Sequence, residues 1–152
     1  MNLPIIADTS VWIDYFNGHS TPHTDFLDTQ LEASNVAIFD VILMEILQGF
    51  RLDTDYNQAK NALDSLLCYD ILNQQNAIKY ADYYRQLRKQ GITIRKANDV
   101  MIASFCVEHQ LPLLFCDRDF IPFTQHFGLI SALNFSQIKT AVGQTHLAAL
   151  PQ

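Results

Sequence analysis

Three short apolar runs in this 152-residue chain each stop at an aspartate, and that punctuation limits the folds open to it. Leu3-Pro4-Ile5-Ile6-Ala7 ends at Asp8, Asn35-Val36-Ala37-Ile38-Phe39 at Asp40, and Leu111-Pro112-Leu113-Leu114-Phe115-Cys116 at Asp117. Continuous apolar runs of this length read as strands covered on both faces. Residues 129–133 are a candidate fourth strand, and residues 66–72 fit either strand or helix.

Helical patterns fill the intervals. They cover residues 11–16, 42–50, 59–67, 77–90 and 97–109, the fourth stopping at Gly91 and the last apolar nearly all round. Strands alternating with helices predict an α/β three-layer sandwich, a mainly parallel central sheet flanked by helices. With 49% hydrophobic residues, the chain has material for one core, so a single domain over residues 1–152 is expected.

Neither a secretory leader nor an apolar stretch of the ~20 residues needed to cross a bilayer is visible, which predicts a cytoplasmic protein with no membrane partner. Cys68, Cys106 and Cys116 lie in apolar runs without a paired spacing and read as small buried hydrophobes rather than zinc ligands. His19 and His23 are separated by Pro22 and cannot share a regular helix face. The net charge of -6 argues against a protein that coats nucleic acid, yet five of the ten basic residues, Arg85, Arg88, Lys89, Arg95 and Lys96, fall within one short stretch. Such a strip can hold a polyanion locally. Tyr80, Tyr83 and Tyr84 beside it either stack on unpaired bases or pack in the core or an interface.

In open parallel sheets, sites form where strands end. Asp8 and Asp117 stand at such ends, Glu45 follows the second strand in a mostly apolar helix, and Asp99 opens the apolar helix at 97–109. Any one acid has a simpler reading: Asp8, Asp40, Asp99 and Asp117 are all placed to cap helices or turns, and Glu45 to face solvent. Taken together, Asp8, Glu45, Asp99 and Asp117 would repel one another in a shared cleft unless a cation compensates. Oxygen donors suit Mg²⁺ or Mn²⁺, and such an ion activates water against a phosphodiester. Asp40 reads as a cap, Asp14 as surface, and Asp119 as either a site member or a cap for a helix near Phe120.

The chain resembles the PIN-domain ribonucleases, specifically the VapC toxins of prokaryotic toxin–antitoxin pairs, over nearly its whole length. Asp8-Thr9-Ser10-Val11-Trp12-Ile13-Asp14-Tyr15-Phe16 is similar to the opening motif of that family, Met44-Glu45-Ile46-Leu47-Gln48-Gly49 to the second, and Asn98-Asp99-Val100-Met101-Ile102-Ala103 to the third. Cys116-Asp117-Arg118-Asp119-Phe120 matches the closing pattern, although many members carry Thr where this chain has Phe115. The resemblance implies that Asp8, Glu45, Asp99 and Asp117 bind Mg²⁺ or Mn²⁺, with Asp119 as a supplement and Thr9 or Ser10 as hydroxyl contacts. It further implies endonucleolytic cleavage of RNA, a homodimer, and a cognate VapB-type antitoxin whose tail occupies the active-site groove. The alternatives are an inactive PIN-like RNA-binding or protein-interaction module and a metal-dependent phosphatase. Phosphatases of the haloacid-dehalogenase type need a second Asp two positions after the first, where this chain has Ser10.

Overall fold

The structure, a computed structural model, describes residues 3–133. Four short strands, β1 (Ile5–Ala7), β2 (Val36–Phe39), β3 (Leu67–Tyr69) and β4 (Leu113–Leu114), form one sheet in the order β3-β2-β1-β4. Every pairing is parallel. Seven α-helices connect and follow the strands: α1 (Thr9–Phe16), α2 (Pro22–Glu32), α3 (Asp40–Gln48), α4 (Asp53–Asp64), α5 (Gln74–Lys89), α6 (Ala97–His109) and α7 (Ile121–Phe127). A 3-10 turn over Arg118–Phe120 leads into α7.

Strand order fixes the layers. The chain steps outward from β1 to β2 to β3, then returns across the sheet to β4 on the far side of β1. Because parallel crossovers are right-handed, α1 to α4 must cover one face and α5 and α6 the other. The helix contacts divide accordingly, with α1 against α2 and α3, α3 against α4, and α5 against α6. The direction of winding reverses between β1 and β4, so their adjacent carboxyl ends form the switch point at which such sheets place their sites.

The core is continuous across both faces. Strands β1 and β2 are buried at every position, as their unbroken apolar runs predict. Helix α6 is buried over Asp99, Val100, Ile102, Ala103, Ser104, Phe105 and Cys106 and has almost no polar face. Phe39, fully buried at the end of β2, meets Phe105 edge-on at 5.0 Å. Truncating it would leave a cavity against α6, so Phe39→Ala is expected to lower unfolding free energy by about 3–5 kcal/mol in urea titrations. A loss below about 1 kcal/mol would show that β2 and α6 are not close-packed there.

Several expectations are corrected. Helix α2 lies outside the helical patterns named above, although its start is written in the sequence: Thr21 and Thr24 form a reciprocal capping box and Pro22 takes the first turn. Helix α4 ends at Asp64, before residue 67, because residues 67–69 pair with β2 as the edge strand β3. The run at 111–116 contributes only Leu113–Leu114 to regular sheet, and residues 129–133 contribute a single parallel bridge, Ser131 to Leu113. Of the cysteines only Cys106 is buried; Cys68 and Cys116 are exposed. Cys68 lies on an edge strand, and Cys116 stands past the end of β4, so neither has a second layer to cover it. Gly91 meets its expectation, taking φ +81° just past the end of α5. The apolar residues between 138 and 150 lie outside the described residues.

Candidate metal centre

Asp8 ends β1 and occupies the N-cap position of α1, but its carboxylate makes no capping bond. It is 5% exposed and accepts from Ser10 Oγ at 2.9 Å. The neighbouring Thr9, also buried, donates from Oγ1 to Glu45 Oε1 on α3 at 3.0 Å. Asp117 caps the 3-10 turn, accepting from the Asp119 backbone N–H at 3.0 Å. The anticipated capping role is therefore real for Asp117 and absent for Asp8. Asp40 opens α3, and its carboxylate accepts from the N–H groups of Val41 and Ile71, tying the loop after β3 to the end of β2.

Asp99 lies in the first turn of α6 and is 6% exposed. One of its oxygens, Oδ2, is buried without a hydrogen-bond partner among the described residues. Asp99, Asp117 and Asp119 each present an oxygen within 4.8 Å of the others. Unpaired buried carboxylate oxygens are costly, and the Asp99 carboxylate has two more acids beside it. Burial, followed by the charges of Asp8 and Asp117, pushes the Asp99 carboxyl up to about 7, and Lys96 opposes the rise. Burial likewise raises Asp8, with the Ser10 hydroxyl opposing and the Glu45 charge adding to the rise.

The fold thus gathers the predicted acids at the switch point in a graded way. Asp99 and Asp117 are in the tight group, Asp119 joins them as a third member, Asp8 acts on Asp99 through its charge, and Glu45 stands outside on Thr9. The position of Glu45 could not be read from spacing, because it depends on how α3 packs against α1. A divalent cation fits the tight group: all three donors are carboxylate oxygens, as hard cations prefer, and its charge offsets the mutual repulsion of the acids.

The basic strip falls on two elements. Arg85, Arg88 and Lys89 are exposed on α5, while Arg95 and Lys96 lie in the loop before α6. Lys96 is near enough to Asp99 for its charge to act there. The tyrosines are largely committed to packing. Tyr80 is buried with its hydroxyl donating to the Ile71 carbonyl, Tyr83 donates to Glu108 and meets Phe127 edge-on, and Tyr84 lies beneath the Arg88 guanidinium at 5.5 Å. Two clefts lie away from the acids. One of about 480 Å³ between α5 and α6 is edged by Arg85 and Arg95, and one of about 700 Å³ is lined by Trp12, Tyr15, Phe16 and Leu63. Neither is lined by an acid, so the chemistry of the side chains locates the site.

The family model for the PIN domain matches residues 5–123, a span that contains all five acids. This chain belongs to the PIN-domain family. Among its PIN relatives are "Ribonuclease VapC11" of Mycobacterium tuberculosis and "VapC ribonuclease Mb1587" of Mycobacterium bovis. Both are 31% identical over 121 residues, covering 76% of this chain and 88% of the relative. "Ribonuclease VapC1" of Methanocaldococcus jannaschii is 27% identical over 125 residues, covering 82% of this chain and 84% of the relative. The PIN fold is shared with VapBC2 from Rickettsia felis, solved bound to a DNA fragment from its promoter. That match has a TM-score of 0.67 and 20% identity, with 85% of this chain and 97% of the other covered. A toxin–antitoxin complex from Klebsiella pneumoniae matches with a TM-score of 0.62 and 21% identity over 84% of this chain and 96% of the other.

Proposed function

We propose that this PIN domain is an Mg²⁺- or Mn²⁺-dependent endoribonuclease, the toxin of a VapBC-type pair, acting in the cytoplasm. The observation that carries this reading is Asp99: a buried carboxylate with an unpartnered oxygen, set against Asp117 and Asp119 at the sheet's switch point. Asp99 and Asp117 would hold the ion, and Asp8, Asp119 and Glu45 would orient water around it. When bound, the ion supplies an activated water and offsets negative charge on the phosphate. The chain's own acids then hold the attacking water in place, and the buried setting of Asp8 and Asp99 keeps their positions fixed.

Arg85, Arg88, Lys89, Arg95 and Lys96 would guide the RNA backbone toward these acids. Retention of every acid in the set favours an enzyme over an inactive binding module. Ser10, two residues after Asp8 and bonded to it, leaves no second aspartate for a phosphatase of the haloacid-dehalogenase type. The relatives named as VapC ribonucleases and the neighbours solved as toxin–antitoxin complexes support a VapB-type antitoxin as partner. Leu72 and Ile78, both exposed apolar residues, would be available to a homodimer contact. No described helix is long and apolar enough to cross a membrane.

The test is direct. Purified protein incubated with single-stranded and hairpin RNA is expected to cut it in Mn²⁺ and to stop when the ion is removed by chelation. Cleavage that persists at full rate in chelator, or none in either ion, would contradict the proposal.

A further inference from the structure

We infer that Thr9 is a positioning residue whose hydroxyl fixes Glu45 at the rim of the acidic site. The inference rests on reading that site as a cation-dependent nuclease centre. Thr9 is the first residue of α1 and only 8% exposed, a place where a threonine hydroxyl commonly turns to nearby backbone. Here it reaches across 36 positions of sequence to Glu45 Oε1 at 3.0 Å and joins α1 to α3. The next residue repeats the pattern at shorter range, Ser10 donating to Asp8. Two consecutive hydroxyls at the start of one helix therefore each hold one acid of the site.

The chemistry explains why the tether is a hydroxyl. Glu45 is half-buried on a helix whose other inward residues are apolar, and among the described residues it has no ion pair. The charge of Asp8 acts against its own, and its three side-chain torsions leave it free to swing outward. A lysine or arginine would hold it, but would also cancel part of the negative field that attracts a cation. A neutral donor fixes the carboxylate and leaves that field intact. Glu45, with one oxygen taken by Thr9, keeps the other for water.

The experiment compares wild type, Thr9→Val, Thr9→Ser, Glu45→Ala and the Thr9→Val/Glu45→Ala double variant. Each is measured for the Mn²⁺ concentration giving half-maximal RNA cleavage and, separately, for Mn²⁺ affinity by electron paramagnetic resonance of the free ion. Thr9→Val is expected to lose about 10–100-fold in cleavage or affinity, the range found when an outer-shell partner of a metal site is removed. Thr9→Ser should stay within about threefold of wild type, and Thr9→Val should add nothing to Glu45→Ala. Thr9→Ala repeats the comparison should valine disturb the fold by circular dichroism. Wild-type behaviour in Thr9→Val, or a loss that multiplies with Glu45→Ala, would overturn the inference. A wild-type protein that neither binds Mn²⁺ nor cuts RNA would instead remove the parent reading.

Discussion

Replacing Asp99 by asparagine is expected to remove RNA cleavage by at least about 100-fold while making the metal-free protein more stable at pH 8. The two effects have one cause. Asp99 is buried among Asp8, Asp117 and Asp119, and one of its oxygens lacks a partner. That arrangement is costly without a cation and productive with one. Removing an outer-shell partner of a metal site commonly costs 10–100-fold, and removing a direct ligand should cost no less. Asparagine keeps the shape and removes the charge, so the repulsion disappears with the activity. The stability gain, of roughly 2–4 kcal/mol, follows from the separation between an ordinary aspartate at 3.8 and the folded-state value of about 7, reduced for screening at the open sheet edge. Loss of both activity and stability would mean that Asp99 is a structural residue and not a strained ligand.

The second large effect is a dependence on pH that divalent ions reverse. The folded-state pKa of Asp99 is raised, so the folded protein binds a proton more tightly than the unfolded chain. Stability of the metal-free protein must therefore fall as pH rises from about 4 to about 7, with the full penalty present above 7. The raised Asp8 carboxyl acts in the same direction. Because a cation needs these groups deprotonated, Mn²⁺ binds better as pH rises and stabilises the folded state through that affinity. Melting temperatures with and without Mn²⁺ should therefore differ most near pH 8 and converge near pH 5. A Mn²⁺ effect that is equal at both pH values, or larger at pH 5, would place the ion away from Asp8 and Asp99.

The sheet and the site were legible to different extents. Strands β1 and β2 announced themselves because both faces are buried, leaving runs without polar alternation and a single acid at each end. Helix α6 was legible for the same reason, being apolar nearly all round with Asp99 in its first turn. Edge elements were harder. Strand β3 has only its third residue partly covered, and Leu67 and Cys68 look like any apolar pair in a helix; only pairing with β2 decides them. Helix α2 has modest apolar content, with Thr24 and Leu27 its buried residues, so its pattern was weak although its capping residues were plain. Three of the candidate acids stand out by position, Asp8 and Asp117 after strands and Asp99 at a helix start, while Glu45 stands out only as an acid inside a mostly apolar helix. Their order of approach was not legible, since it depends on packing: the 3-10 turn carries Asp119 in beside Asp117, while Thr9 keeps Glu45 at the edge.

Most direct of all is the anomalous difference map of a crystal grown with Mn²⁺ at pH 8. An ion bonded to oxygens of Asp99 and Asp117, at the ~2.1 Å of a small hard cation, with Asp119 in its water shell, is the predicted result. Saturating Mn²⁺ with no density there, and Asp99 hydrogen-bonded to Asp117 through a shared proton, would contradict it.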